Sequence, residues 1–199
     1  MPHPDRFYPI VDSLAWVERL CALGVRTIQL RTKKLSQPQA LALVRATLAV
    51  AGDRLVVNDY WRAAIEAGAS HVHLGQEDLA TADVAAIRRA GLTLGLSTHD
   101  DAELENALRH DPDYVALGPI YSTTLKAMRF APQGLQPITE WKRRIGKIPL
   151  VAIGGITLER APVIYAAGAD SIAVVSDVTL NRDPDARVRA WLAQPAVAA

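Results

Sequence analysis

The residues that could do chemistry in this chain recur at regular intervals, most densely in LVVNDYWRAAIEAGASHVHLGQEDL, from Leu55 to Leu79. Two acids there, Asp59 and Asp78, each follow a short apolar or alternating run. Between the runs, Trp61, Ala64, Ile65 and Ala67 repeat at roughly helical spacing as far as Gly68, a natural helix stop. The segment therefore reads as strand, helix, strand. Consecutive strands of a parallel α/β sheet end side by side on one face, so the two carboxylates would meet there. With the Asn58 amide they offer hard oxygen ligands suited to a divalent cation such as Mg²⁺. Aspartate after a strand also serves turns and helix N-caps whatever the function. The matched positions of the pair favour the chemical reading, because function in α/β barrels collects at strand C-termini.

The elements that must position these residues follow the same unit along the whole chain. Apolar runs predict strands over 7–11, 25–30, 55–57, 72–74, 92–96, 114–117, 149–153 and 171–175. Helical spacing lies between them, with Ser36 a plausible N-cap and helices expected over 79–90, 100–109, 135–145 and 158–167. Eight alternating units predict the α/β class and a (β/α)8 TIM barrel, one compact domain over 1–199 with 194–199 a frayed tail. An open doubly wound sheet is the competing architecture, but no glycine-rich dinucleotide fingerprint follows the first strand. The loop IYSTTLKAMRFAPQG, after the sixth strand, is longer than most connections and reads as functional.

Taken strand by strand, the ends carry Arg31 and Lys33, Asn58 and Asp59, Asp78, Ser97, then Thr123, Thr124 and Lys126, then Gly154-Gly155, and finally Ser176. In a barrel these loops ring one mouth. The set holds two carboxylates, three cations, hydroxyls and accessible amides, and is poor in general bases. That suits a phosphorylated substrate, and better a metal-bound pyrophosphate. Glycines after the seventh strand and Ser176 after the eighth fit the common phosphate cradle of barrels, although glycines there also make plain turns. His71 and His73 share one strand face and read as structural rather than as a zinc pair, with no third ligand near. His99 reads as a residue at a helix start, with a proton carrier as the alternative. Lys142-Arg143-Arg144 reads as a solvated helix end.

Of 199 residues, 50% are hydrophobic and 22% charged, an ordinary globular composition sufficient for one large core. Lys and Arg number 22 against 21 acids, a net charge of +1, which gives no field for nucleic acid and no polybasic run for a membrane surface. Cys21 is the only cysteine and is expected buried on a helix. No segment approaches a membrane span and the N-terminus lacks a leader pattern, so a cytoplasmic location is expected. The sequence leaves the oligomeric state open, a homo-oligomer included.

Several segments together resemble thiamine phosphate synthase: QLRTK from Gln29, VVND from Val56, VHLGQEDL from Val72, GLSTH from Gly95, ALGPIYSTTLK from Ala116, VAIGGI from Val151 and AVVS from Ala173. The similarity runs in order from Tyr8 to Ser176. It implies a (β/α)8 transferase that joins 4-amino-5-hydroxymethyl-2-methylpyrimidine diphosphate to a thiazole phosphate, plain or carboxylated, releasing pyrophosphate. It also implies Mg²⁺ as cofactor, held by Asp59 and Asp78. Carried over by motif, Gln29, Leu30, Arg31, Thr32 and Lys33 would line the pyrimidine diphosphate site. Asn58 would contact the diphosphate, and Ser97 and Lys126 the departing pyrophosphate, with Arg31, Lys33, Ser97 and Lys126 as the catalytic set. Thr123 would bind the thiazole phosphate with amides at Gly155, Val175 and Ser176. The family's Thr-x-Thr-Lys reads Thr123-Thr124-Leu125-Lys126 here, so Leu125 replaces a threonine and Thr124 stands beside it. Thr32 replaces an acid of the usual Arg-Asp/Glu-Lys. A thiazole tautomerase of the same fold and a non-catalytic thiazole phosphate binder are the alternatives. The tautomerase relatives carry a histidine where this chain has Pro119, and a tautomerase needs neither Mg²⁺ nor pyrophosphate ligands, whereas binding without turnover would mark the non-catalytic binder.

Overall fold

A computed structural model describes residues 4–122 and 130–195. Eight strands form a closed, all-parallel barrel in sequence order, β1 (Phe7–Val11), β2 (Ile28–Leu30), β3 (Leu55–Asn58), β4 (His71–Leu74), β5 (Thr93–Thr98), β6 (Tyr114–Leu117), β7 (Leu150–Ile153) and β8 (Ser171–Val174). Closure is made by β1 pairing with β8, Phe7 opposite Ile172 and Pro9 opposite Val174. The sequence-predicted barrel is therefore the observed fold.

Alternation along the strands sorts the core into two layers. Ile28, Leu30, Leu55, Val57, Val72, Leu74, Leu94, Leu96, Val115 and Leu117 face outward and meet the helices. Tyr8, Ile10, Val56, Tyr114, Ala116, Val151 and Ala173 form a separate cluster inside the barrel. The interior is thus a packed plug beneath the mouth, as expected of a (β/α)8 fold.

The helices are α1 (Leu14–Ala22), α2 (Gln37–Ala51), α3 (Trp61–Ala67), α4 (Gln76–Leu79), α5 (Val84–Arg89), α6 (Asp101–Leu108), α7 (Gln136–Ile145), α8 (Ala161–Ala166), α9 (Ser176–Thr179) and α10 (Pro184–Leu192). Ser36 and Gln39 make a capping box at α2, as the sequence suggested. The helix expected over 79–90 is two pieces, because Asp83 caps a fresh start by accepting from the Ala86 N–H at 2.8 Å. The stretch expected helical over 158–167 opens as a 3₁₀ turn, Leu158–Arg160, before Pro162 in the first turn of α8. Strand β2 starts late because the Val25 N–H is tied to the Leu20 carbonyl, the end of α1. The short α9 was not foreseen. Cys21 is partly rather than fully buried, on the rim of the core. No described helix is long and apolar enough to cross a membrane.

Candidate active site

A cavity of about 900 Å³ opens at the C-terminal ends of the strands. Its wall includes Gln29, Arg31, Thr32 and Lys33 from β2 and its loop, Asn58 from β3, and Ser97 from β5. Gly155, Val175 and Ser176 line the same cavity from the loops after β7 and β8. Leu30, grouped with this site in the sequence reading, points the other way: strand alternation puts it in the outer layer, 3% exposed, against the helices. Thr123, Thr124, Leu125 and Lys126 lie outside the described residues, as do 196–199 of the expected tail.

Beside the main cavity a pocket of about 280 Å³ is walled by Asp59, Asp78, Tyr60, Lys34, and by Thr32 and Lys33, which face both spaces. Neither aspartate is an N-cap. Asp59 takes a left-handed backbone, φ 63, which turns the chain sharply after β3, a conformation aspartate tolerates better than most residues. Its N–H is fixed to the His73 carbonyl of β4 at 2.9 Å. Asp78 sits in α4, whose start at Gly75 follows β4 directly. The two carboxyls come within hydrogen-bonding reach, and burial together with the Asp78 charge pushes the Asp59 pKa up to about 6. The Leu35 N–H donates to the Tyr60 hydroxyl at 2.9 Å, which ties the 31–35 loop down over this pair.

This donor set fits Mg²⁺. Two crowded carboxylates repel each other, and a cation between them removes that repulsion. Among the described residues no group of three His, Cys, Asp or Glu gathers to make a fuller site. Two carboxylates with the remaining positions left to water and phosphate is the arrangement Mg²⁺ favours. Asn58 fits a ligand for a different reason. It is 4% exposed and its Nδ2 has no hydrogen-bond partner among the described residues, so a buried donor borders the cavity unsatisfied.

The loops that form the far side need their glycines for packing as well as access. A Cβ on Gly155, at φ 62, would come 2.4 Å from the Ser122 carbonyl oxygen, and one on Gly154 would meet Pro119 at 2.7 Å. The β7 and β6 loops therefore touch backbone to backbone. Below Ser176, the Asp177 carboxylate is 7% exposed and is gripped by two of the three Arg187 guanidinium nitrogens at 2.6 and 2.8 Å and by the Trp191 indole N–H at 2.7 Å. Arg187 also forks onto Glu159 at 2.6 and 2.9 Å. One guanidinium from α10 thus braces the loops after β7 and β8, a connection with no signal in the sequence.

Sequence reasoning also passed over Tyr8, Tyr114 and the inward role of His73. His73 Nε2 meets the Ser97 hydroxyl at 2.8 Å, and its Nδ1 meets the Tyr114 hydroxyl at 3.0 Å. Burial first, and then the Arg31 charge, drops the His73 pKa to about 3, so the ring is neutral. Burial pushes both tyrosines above the usual phenol range. His71 is the half-buried partner two residues earlier. His99 is at the cavity wall, its Nδ1 2.7 Å from Glu103 and its ring stacked on Phe130.

Cations, an unsatisfied amide and a carboxylate pair at the C-terminal mouth of a closed parallel barrel define the class: a (β/α)8 enzyme site for phosphorylated small molecules. Residues 7–178 match the family model described as thiamine monophosphate synthase, and the chain belongs to that family. It is 58% identical over 195 residues to the thiamine-phosphate synthase of Rhizobium etli, covering 96% of each chain. It is 51% identical over 186 residues to that of Cronobacter sakazakii, covering 92% of this chain and 89% of the relative. The solved thiamine phosphate pyrophosphorylase of Pyrococcus furiosus superposes with a TM-score of 0.81 at 25% identity, over 93% of this chain and 92% of the other. These relatives support the condensing enzyme and lend nothing to the tautomerase or to the non-catalytic binder.

Proposed function

We propose that the chain condenses the pyrimidine diphosphate with the thiazole phosphate to give thiamine phosphate and pyrophosphate, with the two substrates on opposite sides of the mouth. The side made by β2, β3 and β5 takes the diphosphate: Arg31 and Lys33 as fixed cations, Asn58 Nδ2 and the Ser97 hydroxyl as donors, with Lys126. Gln29 lies deeper in the same wall and faces the pyrimidine. The loops after β7 and β8 take the thiazole phosphate, through amides at Gly155, Val175 and Ser176, with Thr123. Asp59 and Asp78 would hold Mg²⁺, with Lys33 lining the same pocket. Bound there, Mg²⁺ would neutralise charge growing on the pyrophosphate as it leaves.

The residues themselves support a dissociative course. Preorganised donors and cations stabilise a leaving group without being consumed, and the aminopyrimidine can delocalise the positive charge left behind. The thiazole nitrogen then bonds to that carbon. No strong general base is required, and His73, the buried histidine beside Ser97, is held neutral. The single observation that carries the reading is the carboxylate pair sharing Thr32 and Lys33 with the large cavity, so that a metal and a diphosphate can meet. Small phosphorylated molecules are the partners proposed, in a cytoplasmic enzyme whose oligomeric state is open, a homo-oligomer included, with no role for nucleic acid or membrane.

The test is pyrophosphate release from purified protein given both substrates, with Mg²⁺ and then with EDTA. Release that requires both substrates and Mg²⁺, matched by thiamine phosphate, is expected. Release in EDTA at the same rate overturns the metal assignment, and size-exclusion chromatography with light scattering checks the oligomer.

A further inference from the structure

A continuous line of hydrogen bonds crosses the barrel interior beneath the cavity. Gln29 Nε2 donates to the Tyr8 hydroxyl at 2.7 Å, Tyr8 and Tyr114 hydroxyls meet at 2.9 Å, and Tyr114 meets His73 Nδ1 at 3.0 Å. His73 Nε2 completes the line at the Ser97 hydroxyl, 2.8 Å away. Five strands contribute, and the line begins and ends at residues of the cavity wall.

The register shows that the line is built. His73, Gly95 and Tyr114 are lateral neighbours on β4, β5 and β6. A Cβ on Gly95 would fall 2.0 to 2.4 Å from the Tyr114 ring and hydroxyl. The missing side chain on β5 is the space through which Tyr114 reaches His73. Ser97, two residues on, shares the inward face of Gly95.

Proton bookkeeping gives the line a direction. A phenol holds a single proton to place, and an imidazole that accepts at one ring nitrogen carries its proton on the other. With the Gln29 N–H donated to Tyr8, the order that uses every contact of the line sends the Tyr8 proton to Tyr114. In that order Tyr114 donates to His73 Nδ1, and the His73 proton, placed on Nε2, is donated to Ser97. Ser97 receives a hydrogen bond from behind and has its own O–H free to aim at the cavity. The reverse polarity needs the Gln29 amide turned over. It draws the Ser97 proton inward and leaves only oxygen lone pairs facing an anion.

We propose that Tyr8, Tyr114 and His73 are positioning residues that hold the Ser97 hydroxyl as a hydrogen-bond donor toward the departing pyrophosphate, with Gln29 setting the direction of the chain. The proposal rests on the assignment of Ser97 to the pyrophosphate made above. Its function is electrostatic: a donor oriented in advance costs no reorganisation as charge develops.

Two measurements test it. In ¹⁵N-histidine-labelled wild-type protein, long-range ¹H–¹⁵N correlation is expected to show His73 as the Nε2–H tautomer, with its signal identified by loss in His73→Asn. The Nδ1–H tautomer would overturn the polarity. In kinetics, Tyr114→Phe and Ser97→Ala are each expected to lower kcat about tenfold or more, the size of one hydrogen bond to a charged group, with KM for the thiazole phosphate unchanged. The double variant should be no slower than Ser97→Ala alone, because Tyr114 acts only through Ser97. Additive losses, or an unchanged Tyr114→Phe, would sink the proposal, and Tyr8→Phe repeats the cycle should Tyr114→Phe fold poorly. If wild-type protein released no pyrophosphate, the proposed function would fail, while the tautomer would still be read.

Discussion

Asp59 holds the sharpest conflict in the molecule. Burial and the Asp78 charge raise its pKa to about 6, so folding favours its protonated form. The sign follows from linkage. Below the ordinary carboxylate pKa both folded and unfolded chains carry the proton, and this group is neutral to stability. As pH rises toward about 6 the unfolded chain ionises first, and the metal-free protein loses stability through this pair. Mg²⁺ binding needs the ionised pair, so its affinity should fall as pH drops through about 6, and thermal shifts with Mg²⁺ at about pH 5 and pH 8 should show the difference. Asp78→Asn should remove the repulsion, leaving the metal-free protein at least as stable at neutral pH while the Mg²⁺ thermal shift and activity disappear. An undiminished Mg²⁺ shift in that variant would mean the metal is held elsewhere. The two acids were legible in the sequence because they follow successive strands. Their effect on each other was not, since it depends on the αL turn at Asp59 and on where α4 starts.

The elements divide labour between the two ends of the barrel. At the mouth, α10 reaches back through Arg187 to hold Asp177 and Glu159, and so fixes α9 and the 3₁₀ turn before α8. Arg187→Ala strands a nearly buried carboxylate and should cost about 3 kcal/mol in urea unfolding. It should also raise KM for the thiazole phosphate more than for the pyrimidine diphosphate, because the loops it braces carry Gly155 and Ser176. Equal changes in both KM values would refute that division. At the opposite end, Asp170 accepts from the Leu150 N–H at 2.8 Å and pairs with Lys142 at 2.7 Å. Asp113 does the same two repeats earlier, accepting from the Leu94 N–H at 2.7 Å. Lys142, read from sequence as part of a solvated helix end, is thus a structural partner. Asp170→Ala should lose about 1–2 kcal/mol of stability and leave kcat and KM unchanged, since this face carries no chemistry.

For the whole molecule, closure of β8 onto β1 makes each strand depend on both neighbours, and Phe7 stacks on Trp191 at 5.3 Å to tie the last helix to the first strand. Near- and far-ultraviolet circular dichroism should therefore report one coincident unfolding transition, and separated transitions would show two independent units. The sequence by itself determined the number of strands, the barrel class and most of what stands at the mouth. Those follow from local facts: apolar runs of period two, helical spacing between them, and residue types at the ends of the runs. Leu30 marks where this stops, since it lies within QLRTK but alternation turns its side chain away from Gln29 and Arg31. Only the tertiary structure decided the Gln29–Tyr8–Tyr114–His73–Ser97 line, the carboxylate repulsion and the Arg187 brace. Each joins residues whose separation in the chain carries no periodic signal, and each exists because closing the barrel brings distant strands and loops within hydrogen-bond reach.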